Sequence, residues 1–362
     1  MSNNIGIIGA GIGGISSAIQ LAVKGWEVDI FEKNQQAGGK LGEFKKDGFR
    51  FDTGPSVFTM PELVDELFQW AGKNPREYYS YHSLGQSCTY FYEDGSVIQA
   101  QQNINDFALE LETKTGEPTE HLFKFLEKSK TIYDLTAEVF VFSSIHDTSN
   151  FFRKSSFQAL LNFKKIDAFR TMHQANTQSF NSEKVVRLFD RYATYNGSDP
   201  YKAPATLNII PHLEHNKGTF FPDRGMFSLV EALVKLAKEL GVRFHFNEEV
   251  KGIELRGKQV ESIRTEERRW EVDAVISGMD VHSFYNHVFK NERLFSRHAN
   301  HEKSSSAMIF YWGVDGVFSQ LNLHNILFAE NYKKEFEALF DQKQMYPDPT
   351  VYIYISSKQV AE

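Results

Sequence analysis

Residues 5–32, "IGIIGAGIGGISSAIQLAVKGWEVDIFE", constrain the fold more than any other stretch of the chain. Residues 5–8 read as a short parallel strand. Gly9, Gly11 and Gly14 then spell G-x-G-x-x-G around Ala10 and Ile12, with an extra glycine at Gly13. Helical spacing of Ile15, Ile19, Leu21 and Ala22 carries the chain to Lys24. Gly25 stands where a left-handed C′ residue would stop the helix. Residues 28–31 form a second strand, closed by Glu32. This order of strand, glycine loop, helix, strand and acid is that of a dinucleotide-binding unit. Gly9 allows the tight turn, Gly11 lets backbone approach a pyrophosphate, and Gly14 lets the helix pack on the strand. The free N–H groups and positive dipole end of the helix suit phosphate. Glu32 is placed to accept hydrogen bonds from ribose hydroxyls. The loop alone leaves NAD and FAD both open.

The next segment narrows the choice. A nicotinamide-binding domain would continue into a crossover helix. Here "QQAGGKLGEFKKDGFRFDTGPS" follows instead, with Gly38-Gly39-Lys40, two short extended segments around "KKDG", and Asp52-Thr53-Gly54-Pro55. These residues resemble the FAD-dependent amine oxidases and carotenoid desaturases, whose fingerprint follows the ribose-binding Glu with Gly-Gly-Arg/Lys and D-x-G. The resemblance implies that the Gly-Gly backbone runs beside FAD. It implies also that Lys40 meets the phosphate or ribityl region and that Gly54-Pro55 lies near the flavin ring. The cofactor-binding set it implies is Gly9, Ala10, Gly11, Ile12, Gly13, Gly14, Glu32, Lys33, Gly39, Lys40, Leu41, Gly54, Pro55, Ser56, Val250 and Met279. No catalytic residue and no metal ligand is assigned.

Further along, "MPELVDELFQWAG" has the apolar spacing of an amphipathic helix (Leu63, Leu67, Phe68, Ala71) ending at Gly72. "CTYFYEDGSVIQA" reads as a hairpin around Asp-Gly. Residues 105–184 are mostly helical. The nucleotide domain resumes near Phe220, with a helix carrying Leu229, Leu233, Leu236, Ala237 and Leu240. A strand ending near Val250 is expected next; in the resembled family its counterpart meets the adenine through the backbone. "WEVDAVISGMD" supplies another buried strand, and its end, Ser277-Gly278-Met279-Asp280, is an element near FAD in that family. The fold class expected is α/β: a Rossmann-like FAD-binding domain of glutathione reductase type, a mixed-sheet substrate domain and a helical lid. The domains expected are 1–80 with 219–284 for FAD, 81–104 with 200–218 and 285–362 for the substrate sheet, and 105–199 as a helical, membrane-facing subdomain.

Several stretches resemble the carotenoid desaturases in particular: "FDTGPSVFTMPELVDELF", "RYATYNGSDPYKAPATL", "PHLEHNKGTFFPDRGMFSLVEALVKLAKELGV" and "SSAMIFYWGV". "TYFYEDGSVIQA" and "LNLHNILFAENYKKEF" look most like the bacterial 1-hydroxycarotenoid 3,4-desaturase branch. The resemblance implies insertion of a C=C bond into a carotenoid by hydride transfer from an allylic carbon to flavin N5. Alternatives are desaturation at another bond, as in phytoene desaturases, an amine oxidase-like flavoprotein, or a non-catalytic carotenoid or lipid carrier. Family members continue into a glycine-rich segment that covers the flavin, whereas this sequence stops at "PDPTVYIYISSKQVAE". Weak flavin binding and loss of desaturation are therefore expected of this length of chain.

Composition sets the remaining bounds. A net charge of −7 opposes nucleic acid as a partner. Aromatics at 14%, mostly Phe, suit an apolar ligand such as a polyene. Cys88, the single cysteine, forms no internal disulfide and suggests a reducing compartment; it reads as a small buried hydrophobe in a strand. The apolar run at the start is too short and glycine-rich for a signal peptide and lacks a basic leader. No apolar run is long enough to span a bilayer. A carotenoid enzyme must still meet the membrane. Residues 151–170 carry Arg153, Lys154, Lys164, Lys165 and Arg170 against one acid, Asp167, with Phe151, Phe152, Phe157, Leu160, Leu161 and Phe163 among them. That mixture suggests an interfacial helix, although Lys164 breaks its apolar face and a helix packed on the substrate domain fits as well. The expected location is cytoplasmic, peripheral on the inner face of the cell membrane. His212-Leu213-Glu214-His215 invites a metal reading, but His-x-x-His without a further cluster is more often structural. Arg191 fits either a substrate cavity or an ion pair.

Overall fold

A computed structural model describes residues 4–144, 162–299 and 303–360, and the chain forms two compact units. The first comprises Met1–His82, Phe220–Lys303 and Gln359–Glu362. At its centre the strand Asn4–Ile8 lies parallel between Glu27–Glu32 and Ala274–Ser277, and Arg243–Phe246 pairs with the outer side of Glu27–Glu32. Ile5, Ile7 and Ile8 are buried without alternation, as a parallel strand covered on both faces requires.

The helix Ile12–Val23 buries Gly14, Ile15, Ala18 and Ile19, one stripe at helical spacing, and Gly25 at φ +85° follows its last turn. The helix Ser228–Glu239 lies beside it, with Leu229, Leu233, Leu236 and Ala237 buried. Over the sheet lies a three-stranded antiparallel sheet, Gly252–Arg256, Gln259–Arg264 and Arg269–Glu271. Its Ile263 packs into a core with Ile8, Phe31, Val250, Val272 and Val288. The expected α/β class with a parallel nucleotide-type sheet is the class observed.

The hairpin Gly42–Lys46 and Phe49–Thr53 turns on Asp47 and Gly48, both at positive φ, the two-residue loop that matches strand twist. Arg50 pairs with Asp52 and with Glu43 at 2.8 Å each. The buried Asp52 carboxylate also accepts the backbone N–H groups of Met226 and Phe227 at 3.3 Å, tying the hairpin to the turn before the helix Ser228–Glu239.

Two details differ from the sequence reading. The strand expected to end near Val250 ends at Phe246, because Asn247 takes a left-handed φ of +57° and turns the chain; Val250 follows as a buried core residue outside any strand. The strand Ala274–Ser277 is half-buried, not buried, since it forms an edge of the parallel sheet.

The second unit comprises Ser83–Thr219 and Ser304–Lys358. In its mixed sheet His324–Leu327 lies antiparallel to Val351–Tyr354 and parallel to Gln86–Phe91, which forms a hairpin with Val97–Gln101. The helices Ile104–Thr115, Thr119–Phe140, Met172–Ser179 and Glu183–Asp190 pack with it. Tyr90, Ile98, Phe107, Leu111, Phe125, Phe189 and Tyr192 share one core. That shared core joins the helical segment, expected as a separate subdomain, to the sheet. Residues 285–303, expected with the sheet, group with the first unit. Cys88 is buried in its strand, and burial pushes its thiol up to about 12. Met308, Ile309, Phe310, Trp312 and Val317 lie exposed in a segment without regular structure.

Candidate functional site

The glycine loop of the first unit is defined by close backbone approaches. A Cβ on Gly14 would sit 2.1 Å from the Gly9 carbonyl oxygen, so this first-turn position admits glycine alone. Gly9, at φ +97°, donates its N–H to the Phe31 carbonyl at 2.8 Å and so ties the loop to the second strand. Space stands open before Gly13. No side chain caps the helix Ile12–Val23, which leaves its first N–H groups facing that space.

Glu32 closes the floor. It is 6% exposed, and its Oε2 accepts the Ala10 N–H at 2.9 Å. Its Oε1 accepts the Asn34 N–H at 3.0 Å and the Asn34 amide at 2.7 Å. The carboxylate thus fixes the loop from below and stays aligned along the end of the strand.

The second glycine pair meets the first loop. Gly38 donates its N–H to the Ala10 carbonyl at 2.8 Å, and Gly38 and Gly11 form a parallel bridge. Leu41 is buried and donates back to the Gly38 carbonyl. The Lys40 carbonyl lies against Gly54, where an added Cβ would come within 1.9 Å of that oxygen. Gly-Gly-Lys and Asp-Thr-Gly-Pro are therefore adjacent in space. Lys40, Gly54 and Pro55 are exposed, and Ser56 is half-buried. An open cleft of about 490 Å³ adjoins this junction, lined by Lys33, Asn34, Gln36, Gly39, Gly42 and Asn247.

Across the sheet, Gly278 donates to the Ile8 carbonyl at 2.9 Å. A Cβ there would lie 3.3 Å from that oxygen and 3.8 Å from the Gly14 nitrogen. Met279 follows, half-buried against the core that holds Val250. All sixteen candidate residues thus belong to one unit. Most gather at the carboxyl ends of the parallel strands, where open α/β sheets bind ligands; Val250 and Met279 approach from the core side. Sequence reasoning left Gly38 and Gly278 out of the set. Both lay inside quoted motifs, and only their contacts mark them as part of the loop's wall.

A second polar constellation lies in the other unit. Arg191 donates to the Tyr90 hydroxyl at 2.9 and 2.5 Å and to Glu214 at 3.1 Å. Tyr192 and Tyr195 donate to Glu214 at 2.8 and 2.6 Å. With that proton spent, His215 Nε2–H donates to the Tyr192 oxygen at 2.8 Å. Burial pushes the Glu214 carboxyl up, but Arg191 and its other partners more than reverse this, to about 2; burial pushes His215 down to about 4. Of the two readings of Arg191, the ion pair is present, and it is buried. His212 and His215 do not converge: His212 bonds Asn216 at 2.8 Å, and His215 faces Tyr192.

The interfacial-helix reading falls largely on residues 145–161, outside the described residues. Beyond them, Asp167 pairs with Lys128 and with Arg170. Among the described residues, no helix is long and apolar enough to cross a membrane.

Known proteins share this architecture. The family described as "Flavin containing amine oxidoreductase" matches residues 12–326. A 1-hydroxycarotenoid 3,4-desaturase from Flavobacterium sp. (strain P99-3) is 41% identical over 353 residues, spanning 98% of this chain and 72% of that protein. A 4,4'-diapolycopene oxygenase from Methylomonas sp is 32% identical, spanning 97% of this chain and 71% of the relative. Among solved structures, an oxidoreductase from Methanosarcina mazei superposes with a TM-score of 0.51 at 19% identity, covering 78% of this chain and 60% of that one. That likeness concerns the fold. With the family matched across most of its length, the chain belongs to the flavin containing amine oxidoreductases and is a flavin-dependent oxidoreductase.

Proposed function

We propose that the chain is an FAD-dependent carotenoid desaturase acting on a 1-hydroxycarotenoid at the 3,4 bond. The observation that carries this reading is the glycine loop closed on the second Gly-Gly pair over a buried Glu32, in a chain 41% identical to a desaturase of that name. The residues fit the adenylate and pyrophosphate of FAD. The Gly14 contact and the open face at Gly13 form a cradle that any Cβ would obstruct. Gly9, Ala10, Gly11, Ile12, Gly13 and Gly14 would hold the pyrophosphate at the helix N-terminus. Glu32 would orient the ribose hydroxyls, with Lys33 beside it. Gly39, Lys40, Leu41, Gly54, Pro55 and Ser56 would line the path toward the ring, and Val250 and Met279 would close the adenine side.

When bound, the flavin supplies the hydride acceptor for removal of two hydrogens across an allylic bond. This chain's residues would bind and orient it. No side chain at the loop is placed as an acid or base, which suits a reaction whose developing positive charge spreads over a polyene.

The test is reconstitution with FAD and a 1-hydroxycarotenoid, with pigments resolved by absorbance and mass. Loss of two hydrogens with a longer chromophore supports the reading. Oxygen insertion would favour the chemistry named for the 32% relative, and no pigment change with bound flavin would sink both.

We further infer that the protein attaches peripherally to the cytoplasmic face of the membrane, where its substrate dissolves. The basic and aromatic residues of 151–170 support this. Changing Arg153, Lys154, Lys164 and Lys165 together to Glu is expected to abolish cosedimentation with anionic liposomes. Unchanged cosedimentation refutes the attachment.

A further inference from the structure

The Glu32 carboxylate is largely spent on the chain itself. Its Oε2 accepts the Ala10 N–H at 2.9 Å, and its Oε1 accepts the Asn34 N–H at 3.0 Å and the Asn34 side-chain amide at 2.7 Å. A carboxylate offers about four lone-pair positions, two on each oxygen. Oε1 is therefore filled, and one position is left on Oε2. A ribose carries two neighbouring hydroxyls, and Glu32 has room to accept one of them.

Asn34 stands beside it with capacity to spare. Its carbonyl accepts the Asn247 N–H at 3.1 Å, and Glu248 donates to the Glu32 carbonyl at 3.0 Å, so the turn after the strand Arg243–Phe246 fixes the backbone of both residues. Asn247 makes that turn at a left-handed φ of +57°, which asparagine tolerates. With one amide hydrogen given to Glu32, the Asn34 side chain keeps a second hydrogen and its oxygen, and nothing among the described residues pairs with either. Asn34 and Asn247 line the open cleft of about 490 Å³, and the cleft reaches Gly39. A Cβ on Gly39 would come within 3.1 Å of the Gly11 Cα, so the glycine loop and the cleft adjoin. A sugar therefore has room beside the loop to meet the Asn34 amide.

Resting on the FAD reading above, we propose that Asn34 is a second reader of the adenosine ribose: Glu32 Oε2 accepts one hydroxyl, and the Asn34 amide pairs with the other. An amide both donates and accepts, so it matches a hydroxyl in either sense. The bond to Glu32 fixes the amide before the nucleotide arrives, which reduces the ordering cost of binding. The acid thus recognises the sugar partly through the asparagine that it holds.

The test is calorimetric binding of ADP, 2′-deoxy-ADP and 3′-deoxy-ADP to the full chain, which needs neither flavin nor turnover. Wild type is expected to bind ADP about tenfold or more tightly than either deoxy nucleotide. Asn34→Ala, at an exposed residue, should weaken ADP about tenfold, leave one deoxy nucleotide bound as in wild type, and keep the discrimination against the other. Asn34→Ser lacks the amide too; it should give the same pattern and covers the case in which the alanine variant does not fold. Equal weakening of all three nucleotides overturns the proposal and leaves Asn34 as a residue that only props Glu32. Discrimination unchanged in both variants, or a wild type that binds all three alike, overturns it too, with the FAD reading intact. Wild type binding none of the three overturns the adenylate reading of the loop and this proposal with it.

Discussion

At the scale of single residues, Gly14 and Glu32 separate packing from recognition. Gly14→Ala forces a methyl group to within 2.1 Å of the Gly9 oxygen. It should cost about 1–3 kcal/mol, as overpacking does, and expel flavin as the loop shifts. Glu32→Gln keeps the shape and the Ala10 N–H bond but sets an amide NH2 against the two Asn34 donors, so it should cost only about 0.5–1.5 kcal/mol while weakening flavin binding roughly tenfold. Flavin absorbance after desalting, read beside thermal unfolding, separates the two effects; equal loss of stability in both variants would contradict the distinction. Arg191 makes the opposite case. Its side chain is 8% exposed beside a Glu214 at 3%. Arg191→Met strands a buried carboxylate and should cost about 3–5 kcal/mol. Adding Glu214→Leu should recover part of that loss, since no unpaired charge then remains. Urea denaturation midpoints of the single and double variants measure it.

At the scale of elements, Asp52 holds a hairpin to a helix. Asp52→Ala removes the acceptor of two backbone N–H groups and a partner of Arg50. It should cost about 2–4 kcal/mol and free the hairpin, visible as loss of amide-exchange protection in residues 42–53. Much at this scale was legible in the sequence because each signal was local. Ile15 and Ile19 announced the helix Ile12–Val23, Asp47-Gly48 and Asp94-Gly95 announced turns, and Gly25 and Gly72 follow helices at positive φ. Strand ends were less legible: the left-handed Asn247 stops a strand that the sequence reading carried across the polar Asn247-Glu248-Glu249 to Val250. The Arg191–Glu214 pairing escaped for a different reason. Its partners come from a 3-10 turn, Arg191–Asn196, and a π-helical turn, His212–Lys217, neither of which has the period that reveals a buried face. Gly38 and Gly278 escaped because their roles are contacts with distant backbone, which no local pattern records.

At the scale of the molecule, acid acts on the second unit through three buried groups. His215 and His324 titrate near 4 when folded, below the ordinary histidine value of 6.5. The unfolded chain therefore takes up protons first, and stability falls as pH drops from about 6.5 to about 4. Glu214, lowered to about 2 from 4.5, extends the loss over the range below that, because its carboxylate stabilises the fold only while charged. The loss should be on the order of 3 kcal/mol for each group and appear as a steady fall in denaturation midpoint below pH 6.5. A flat profile between pH 7 and 4 would contradict it. The single cysteine gives this unit its own clock. Cys88 lies on an inner strand of the sheet, and its thiol, raised to about 12, is inert while covered. A thiol reagent can reach it only when those strands part, so the rate of labelling counts openings of the second unit molecule by molecule. With no other thiol in the chain to blur the count, one chromophore per protein reports how often this sheet comes apart under native conditions.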